Sequence, residues 1–302
     1  MTMDRIRRDF RKHWLVYLMA LPVVAFYLIF CYLPMWGALI AFVDFKPRLG
    51  LFGSPFVGLK HFVDFVTGLY FWRVVRNTLM LNLWGLAIGF PAPIVLALML
   101  NEVRNRVFKR SIQTLTYLPY FISLVVVCGI IINFTASDGL VNHIVAAFGG
   151  KRVALLGEAS LFRPIYTLSG VWQGIGWSSI IYLAALASID PELYEAARMD
   201  GAGRFRQMRH VTLPGISSTI GILLILTVGG MMNHGYEKVI LLYNPLTYET
   251  ADIISSYVYR RGLVDFDFSF STAIGLMTAV LNFILLYSTN RLSRSHSDVG
   301  IW

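Results

Sequence analysis

Six apolar runs, each near the length that carries a helix across a bilayer, constrain this chain more than any other feature. They cover residues 15–33, 78–100, 112–134, 164–188, 215–240 and 269–289. A hydrocarbon core takes ~20 helical residues and offers no water to satisfy a bare backbone. Charged residues make up 14% of the chain and mean hydropathy is +0.62. A soluble protein typically carries about 25% charged residues. The chain reads as an all-α polytopic membrane protein with about six transmembrane helices and one membrane domain, residues 15–289.

The first run follows a basic stretch, MTMDRIRRDFRKHW, and is too long and too aromatic for a cleaved signal peptide. It reads as a retained first span after an N-terminal segment, residues 1–14. Its continuation, CYLPMWGALIAF (31–42), holds Pro34 and Trp36, which suggest a bend at the interface. Residues 44–77 are rich in aromatics and read as interfacial helix, and 138–149 as a short amphipathic helix that Asp138 can cap.

An even number of spans puts both termini on one side. The loops on that side hold Arg5, Arg7, Arg8, Arg11, Lys12, Arg104, Arg106, Lys109, Arg110, Arg198, Arg204, Arg206, Arg209, Arg291 and Arg294. That is the majority of the 26 basic residues, in the shorter set of loops, so the positive-inside bias makes this side cytoplasmic. A C-terminal tail, residues 290–302, lies there too. The net charge of +9 is spread in short clusters between apolar runs, which is a topology pattern and not a nucleic-acid surface. Cys31 and Cys128 both fall inside apolar runs and make neither a metal spacing nor a disulfide framework.

One segment departs from this background: residues 190–214, which include EAARMDGAGRFRQMRHVTLP. Asp190 followed by Pro191 is a strong helix start, and Glu192 suits the positive helix end. The helix should run to about Met199, end at Asp200-Gly201, turn at Gly203 and resume over roughly 204–210. Thr212-Leu213-Pro214 should then break it and restart the chain into the fifth span. An ordinary basic loop would not need Ala196, Ala197, Gly201 or Gly203. Small residues beside Glu195 and Asp200 read as a knob for a partner's cleft.

The sequence EAARMDGAG…LP resembles the EAA loop of ABC importer permeases, whose pattern runs E-A-A, three residues, G, nine residues, a hydrophobic residue, one more, then L-P. Glu195, Ala196, Ala197 and Gly201 match, and the count from Gly201 reaches Val211, Leu213 and Pro214. The stretches YLPMWGALIAFVDFKP, FWRVVRNT, LLYNPLTYETADIISSYVYRRGL and NRLSR look like permeases for oligo- and polysaccharides, among them importers of alginate and pectin-derived oligosaccharides.

The resemblance implies a type I importer fold in a bacterial inner membrane, with both termini cytoplasmic. It implies that Glu195, Ala196, Ala197, Asp200, Gly201, Ala202 and Gly203 dock in a separate ATPase subunit. It implies further partners: an ATPase dimer, a second, different permease, an extracytoplasmic solute-binding protein, an oligosaccharide and membrane lipid, but no nucleic acid.

No G-x-x-x-x-G-K-[ST] occurs, so ATP and Mg²⁺ belong on a partner and this chain should bind no cofactor. The histidines at 13, 61, 143, 210, 234 and 296 are dispersed, and no H-E-x-x-H or G-x-S-x-G appears. A membrane-embedded enzyme therefore lacks a catalytic set and a metal site. A self-sufficient secondary transporter would need repeats or a mid-span acid, and neither is present. A permease for another solute class stays open.

Polar side chains at membrane depth mark the substrate path or glue helices together. Candidates are Asn82 with Trp84, Asn133, Trp172, Gln173, Trp177, Asn233, His234, Tyr236 and Glu237, the last four forming the preferred set. Glu237 beside Lys238 also reads as an interfacial pair. Arg260 and Arg261 either line a basic path for an anionic sugar or meet acids of a binding protein.

Overall fold

The computed structural model describes residues 3–233 and 235–297. Among these residues the structure is helical, with one isolated bridge, Val43 to Phe56, and no strand. The chain resolves into two compact units. One is the chain through Val66 with Arg261–Leu276. The other is Thr67–Arg260 with the chain from Met277.

In the first unit the N-terminal helix Met3–Phe26 passes without interruption into a π-helical stretch, Tyr27–Tyr32, and a 3₁₀ stretch, Leu33–Phe42. The helix type changes at Leu33, and Pro34 sits in the first positions of the 3₁₀ stretch, where its missing N–H costs no bond. Residues 12–42 are apolar on every side and none of this span's best apolar window is buried within the chain. Such a surface belongs in lipid or against another membrane subunit. Cys31 lies on this bare face, while Cys128 is buried in the other unit. Beyond the span, Phe45 N–H donates to Ser269 Oγ (2.9 Å), and Phe65 meets Phe270 edge-on.

The second unit is built on a long helix, Phe162–Ala187. It packs along Pro91–Glu102, Arg106–Tyr117 and Phe71–Trp84. Gly176 allows the closest approach: a Cβ there would collide with the Thr116 carbonyl. One core gathers Leu81, Val127, Cys128, Phe162 and Val239, and a second gathers Ala97, Tyr182, Leu186, Ile189 and Ile216.

By length and composition four described helices can cross a membrane: 12–42, 71–102, 124–147 and 268–294. A fifth arises if the pair Arg204–Gly215 and Ser217–Gly229, bent by 59°, is one span. Phe162–Ala187 is long enough but more polar, with its serines, glycines and Gln173.

Four local expectations are corrected. The run 112–134 is not one helix: Arg106–Tyr117 with its 3₁₀ extension Leu118–Phe121 ends, and Leu124–Thr135 starts anew on the Ser123 cap. The run 215–240 is not one helix: Ser217–Gly229 ends, and Tyr236–Leu242 starts anew after Gly235 at φ +82°. That left-handed conformation admits glycine without strain, and the Tyr166 hydroxyl lies where a Cβ would project. Pro214 does not break the second helix of the 190–214 segment. A π-helical stretch, Met208–Thr212, carries the helix through to Gly215, and the bend comes at Ile216. Asp138 does not cap Leu140–Ala147; Gly139 is the N-cap, pressed against the carbonyls of Asn133 and Phe134.

Candidate functional site

The segment after the long helix has the local structure its residues dictate. Asp190 Oδ1 accepts the Glu192 N–H (2.9 Å), and Pro191 opens the helix Pro191–Met199. At the other end, Gly201 adopts φ +73°, its N–H reaches the Arg198 carbonyl, and the Ala202 N–H reaches Ala197. These two bonds make a Schellman stop. Gln207 Nε2 then donates to the Ala202 carbonyl (2.7 Å), closing the turn on which Gly203 starts Arg204–Gln207.

The segment's base is fixed. Ile189 fills the place of a Gly215 side chain, and the Tyr194 hydroxyl donates to Thr212 Oγ1 (3.2 Å). Its tip is bare. Glu195, Ala196, Asp200, Gly201 and Gly203 are exposed, while Ala197 and Ala202 are half-buried. Leu193, Met199 and Phe205 are also exposed, Met199 to 89%. Apolar side chains held in water by a capped, anchored scaffold mark a protein contact.

A cavity of about 390 Å³ lies among the helices of the same unit. Its wall includes Asn82 and Trp177 from the sequence-derived set, together with Thr78, Phe90, Tyr166, Tyr182 and Thr227. The Trp177 indole stacks on Tyr120 at 4.7 Å and 4°. Asn82 Nδ2 bonds back to the Thr78 carbonyl (2.8 Å), which leaves its carbonyl oxygen available to a ligand. An aromatic wall with a few hydroxyls and an amide is the composition of a sugar-sized site.

The other predicted path residues lie elsewhere. Trp84, Asn133, Trp172, Gln173, Tyr236 and Glu237 do not line this cavity. His234 is outside the described residues, and only the backbone of Asn233 is described, at the end of Met231–Asn233. Glu237 is exposed and does not pair with Lys238. The lysine turns inward, 7% exposed, and its Nζ donates to the Tyr166 carbonyl at 3.0 Å.

A polar cluster that sequence reading missed stands near this wall. Asp252 is fully buried and accepts from Arg73 Nη2 (3.1 Å), Arg260 Nη2 (2.7 Å) and Ser256 Oγ (2.9 Å). Burial alone would lower the Arg260 pKa, but the hydrogen bond and charge of Asp252 outweigh it and hold it above its ordinary value. Arg260 is thus no free cation. Arg261, in the other unit, bonds to Asp267 (2.9 Å) and Asp265 (3.4 Å). The only sequence signal for the cluster was an acid eight residues before an arginine.

A helical membrane unit with an internal cavity and an anchored, exposed docking segment defines a transport subunit that works with a partner. The chain belongs to the family described as binding-protein-dependent transport system inner membrane component, whose model matches residues 89–297. It is 48% identical over 288 residues to the polygalacturonan/rhamnogalacturonan transport system permease protein YteP of Bacillus subtilis (strain 168), covering 95% of this chain and 90% of that one. Protein LplB of the same organism is 46% identical over 293 residues, covering 97% and 92%.

The fold matches a bacterial ABC transporter involved in the import of the acidic polysaccharide alginate. The TM-score is 0.91 at 42% identity, over 97% of this chain and 99% of that one. A second structure of a bacterial alginate transporter, in complex with alginate pentasaccharide-bound periplasmic protein, matches with a TM-score of 0.91 at 41% identity, over 98% and 100%. The chain is an inner-membrane permease subunit of an ABC importer, a family whose members lack an ATPase site of their own.

Proposed function

We propose that this permease imports an acidic oligo- or polysaccharide by alternating access, with Glu195–Gly203 docked in a separate ATPase dimer. The substrate class rests on one observation: relatives at 41–48% identity over nearly the whole chain are named for polygalacturonan/rhamnogalacturonan or alginate. The aromatic and hydroxyl-bearing cavity supports it, because sugar rings stack on aromatic faces and offer hydroxyls to amides and hydroxyls.

In this reading both termini and the 190–214 segment face the cytoplasm, as the arginine distribution favours. A second, different permease completes the pathway, and an extracytoplasmic solute-binding protein delivers the sugar. ATP and Mg²⁺ act on the ATPase, and this chain binds neither. Glu195, Ala196, Ala197, Asp200, Gly201, Ala202 and Gly203 form the contact, with Leu193, Met199 and Phe205 as its apolar part.

The test is the complete importer in proteoliposomes, with its binding protein and a short oligogalacturonate. ATP-driven uptake is expected, and Glu195→Lys should abolish substrate-stimulated ATP hydrolysis while the complex still assembles. Undiminished transport by that variant would remove the docking role.

A further inference from the structure

Asn77 is fully buried, and its environment fixes which way its amide points. Nδ2 donates to the main-chain carbonyls of Glu249 (2.9 Å) and Asp252 (3.1 Å). Oδ1 is left as an acceptor, and Arg163 Nη2 takes it at 3.0 Å. Arg163 is therefore held in place by a neutral group. Among the described residues it has no carboxylate partner, and its buried Nε has no hydrogen-bond partner at all.

Arg76, on the same helix as Asn77, is exposed and also forms no ion pair among the described residues. The one buried carboxylate nearby, Asp252, is shared by Arg73 and Arg260. Glu249 contributes its main chain, while its side chain is exposed and forms no ion pair among the described residues. Four guanidiniums thus accompany one buried carboxylate. A surplus this large, partly desolvated, costs free energy unless an anion visits it.

The surplus is next to the cavity. Asn77 adjoins Thr78, and Arg163 precedes Tyr166 by one helical turn, and both Thr78 and Tyr166 line the cavity wall. Lys238 adds a further buried cation behind Tyr166. Arg163 also stands at the end of the long helix opposite the docking segment, about 39 Å away for 26 residues.

We propose that Arg163, with Arg76 beside it, reads the carboxylates of an acidic sugar as it enters the cavity, with Asn77 as the residue that positions the guanidinium. The proposal rests on the acidic-saccharide reading above and adds the residues that impose it. A planar guanidinium presents two parallel N–H groups that match a carboxylate, and Asn77 occupies only one Nη. The Arg73–Asp252–Arg260 group serves as its scaffold, already neutralised in part.

The experiment uses the intact importer in proteoliposomes, with Arg163→Gln and Arg163→Lys, a short oligogalacturonate as substrate and separately measured affinity for the loaded binding protein. Arg163→Gln should raise KM for uptake about tenfold, the loss of one charge-assisted hydrogen bond. Arg163→Lys, which keeps the charge but not the fork, should recover part of that, and both variants should bind the binding protein as the parent does.

Unchanged KM in Arg163→Gln overturns the proposal. So does equal loss in both variants, which would mean a structural bond to Asn77 and no more. Weakened docking of the binding protein overturns it in favour of a protein contact. If the parent importer takes up no oligogalacturonate or alginate oligomer, the acidic-saccharide reading itself fails and this proposal with it.

Discussion

Asp252→Asn should destabilise the second unit by about 3 kcal/mol, the lower end of the range for breaking a buried ion pair. The carboxylate is fully buried, whereas the side chains of Arg73 and Arg260 are 30% and 23% exposed. Both guanidiniums can therefore recover some hydration when the charge is lost, which argues for the lower end. The amide is isosteric but chemically wrong. Its oxygen in the Oδ2 place can still accept from Arg73 Nη2 and Arg260 Nη2, but without the charge, and its NH₂ in the Oδ1 place is then aimed at Arg260 Nη1 and the Ser256 hydroxyl. The Ser256 hydroxyl loses Oδ1 as an acceptor and keeps the Ile253 carbonyl (3.0 Å).

Reversible unfolding of the purified chain in mixed micelles with graded SDS measures the cost directly. Adding Arg73→Met to Asp252→Asn removes one stranded cation and should return at least about 1 kcal/mol. A cost under about 0.5 kcal/mol for the single variant would refute the reasoning, since it is what exposed pairs give. So would strict additivity in the double variant.

Gly176→Ala places a methyl group on the Thr116 carbonyl, which cannot rotate away, so it should cost about 2 kcal/mol in the same assay; a neutral result would mean the helices part freely. Gly201→Val puts a β-branched residue at φ +73°, at a local cost of about 1–3 kcal/mol, and amide exchange over 196–202 should accelerate at least about tenfold. Unaltered protection there would contradict the Schellman stop. Trp177→Ala removes the partner stacked on Tyr120 and part of the cavity wall, and should raise KM for substrate up to about tenfold without altering basal ATP hydrolysis of the importer. An unaffected KM would place the sugar elsewhere.

The docking segment was legible in the sequence because its structure is decided within a few residues. Asp190-Pro191 starts a helix and Gly201 stops it whatever the rest of the chain does. Long apolar runs were legible as membrane segments but not where they break: 112–134 and 215–240 each resolve into separate helices. The cavity was not, since lining it depends on which helix faces converge. Trp172 and Trp177 look alike in sequence, yet five residues turn a helix by about 140°, and only Trp177 lines the cavity. Asp252 was hidden more deeply. It lies outside the apolar runs, where an acid passes for a surface residue, and its partner Arg73 is 179 positions away. The break at Gly235 was invisible to hydropathy, which registers composition and not the sign of φ.

These parts combine through the long helix. Only Ser188 and Ile189 separate its last turn from the Asp190 cap, so the docking helix cannot move without it. The Tyr194–Thr212 hydrogen bond and the Ile189–Gly215 contact tie the far end of the segment to the same base. A push on Glu195 and its neighbours is therefore divided between two elements, Phe162–Ala187 and Ser217–Gly229. Trp177 and Tyr182 on the first and Thr227 on the second are walls of one cavity. From Trp177 to Ala187 is about 15 Å of helix with no proline in it, and Gly176 seats that helix against Thr116. Force applied at the docking segment should change the spacing of the cavity walls, because the connecting helix is short, free of proline and packed against Thr116 partway.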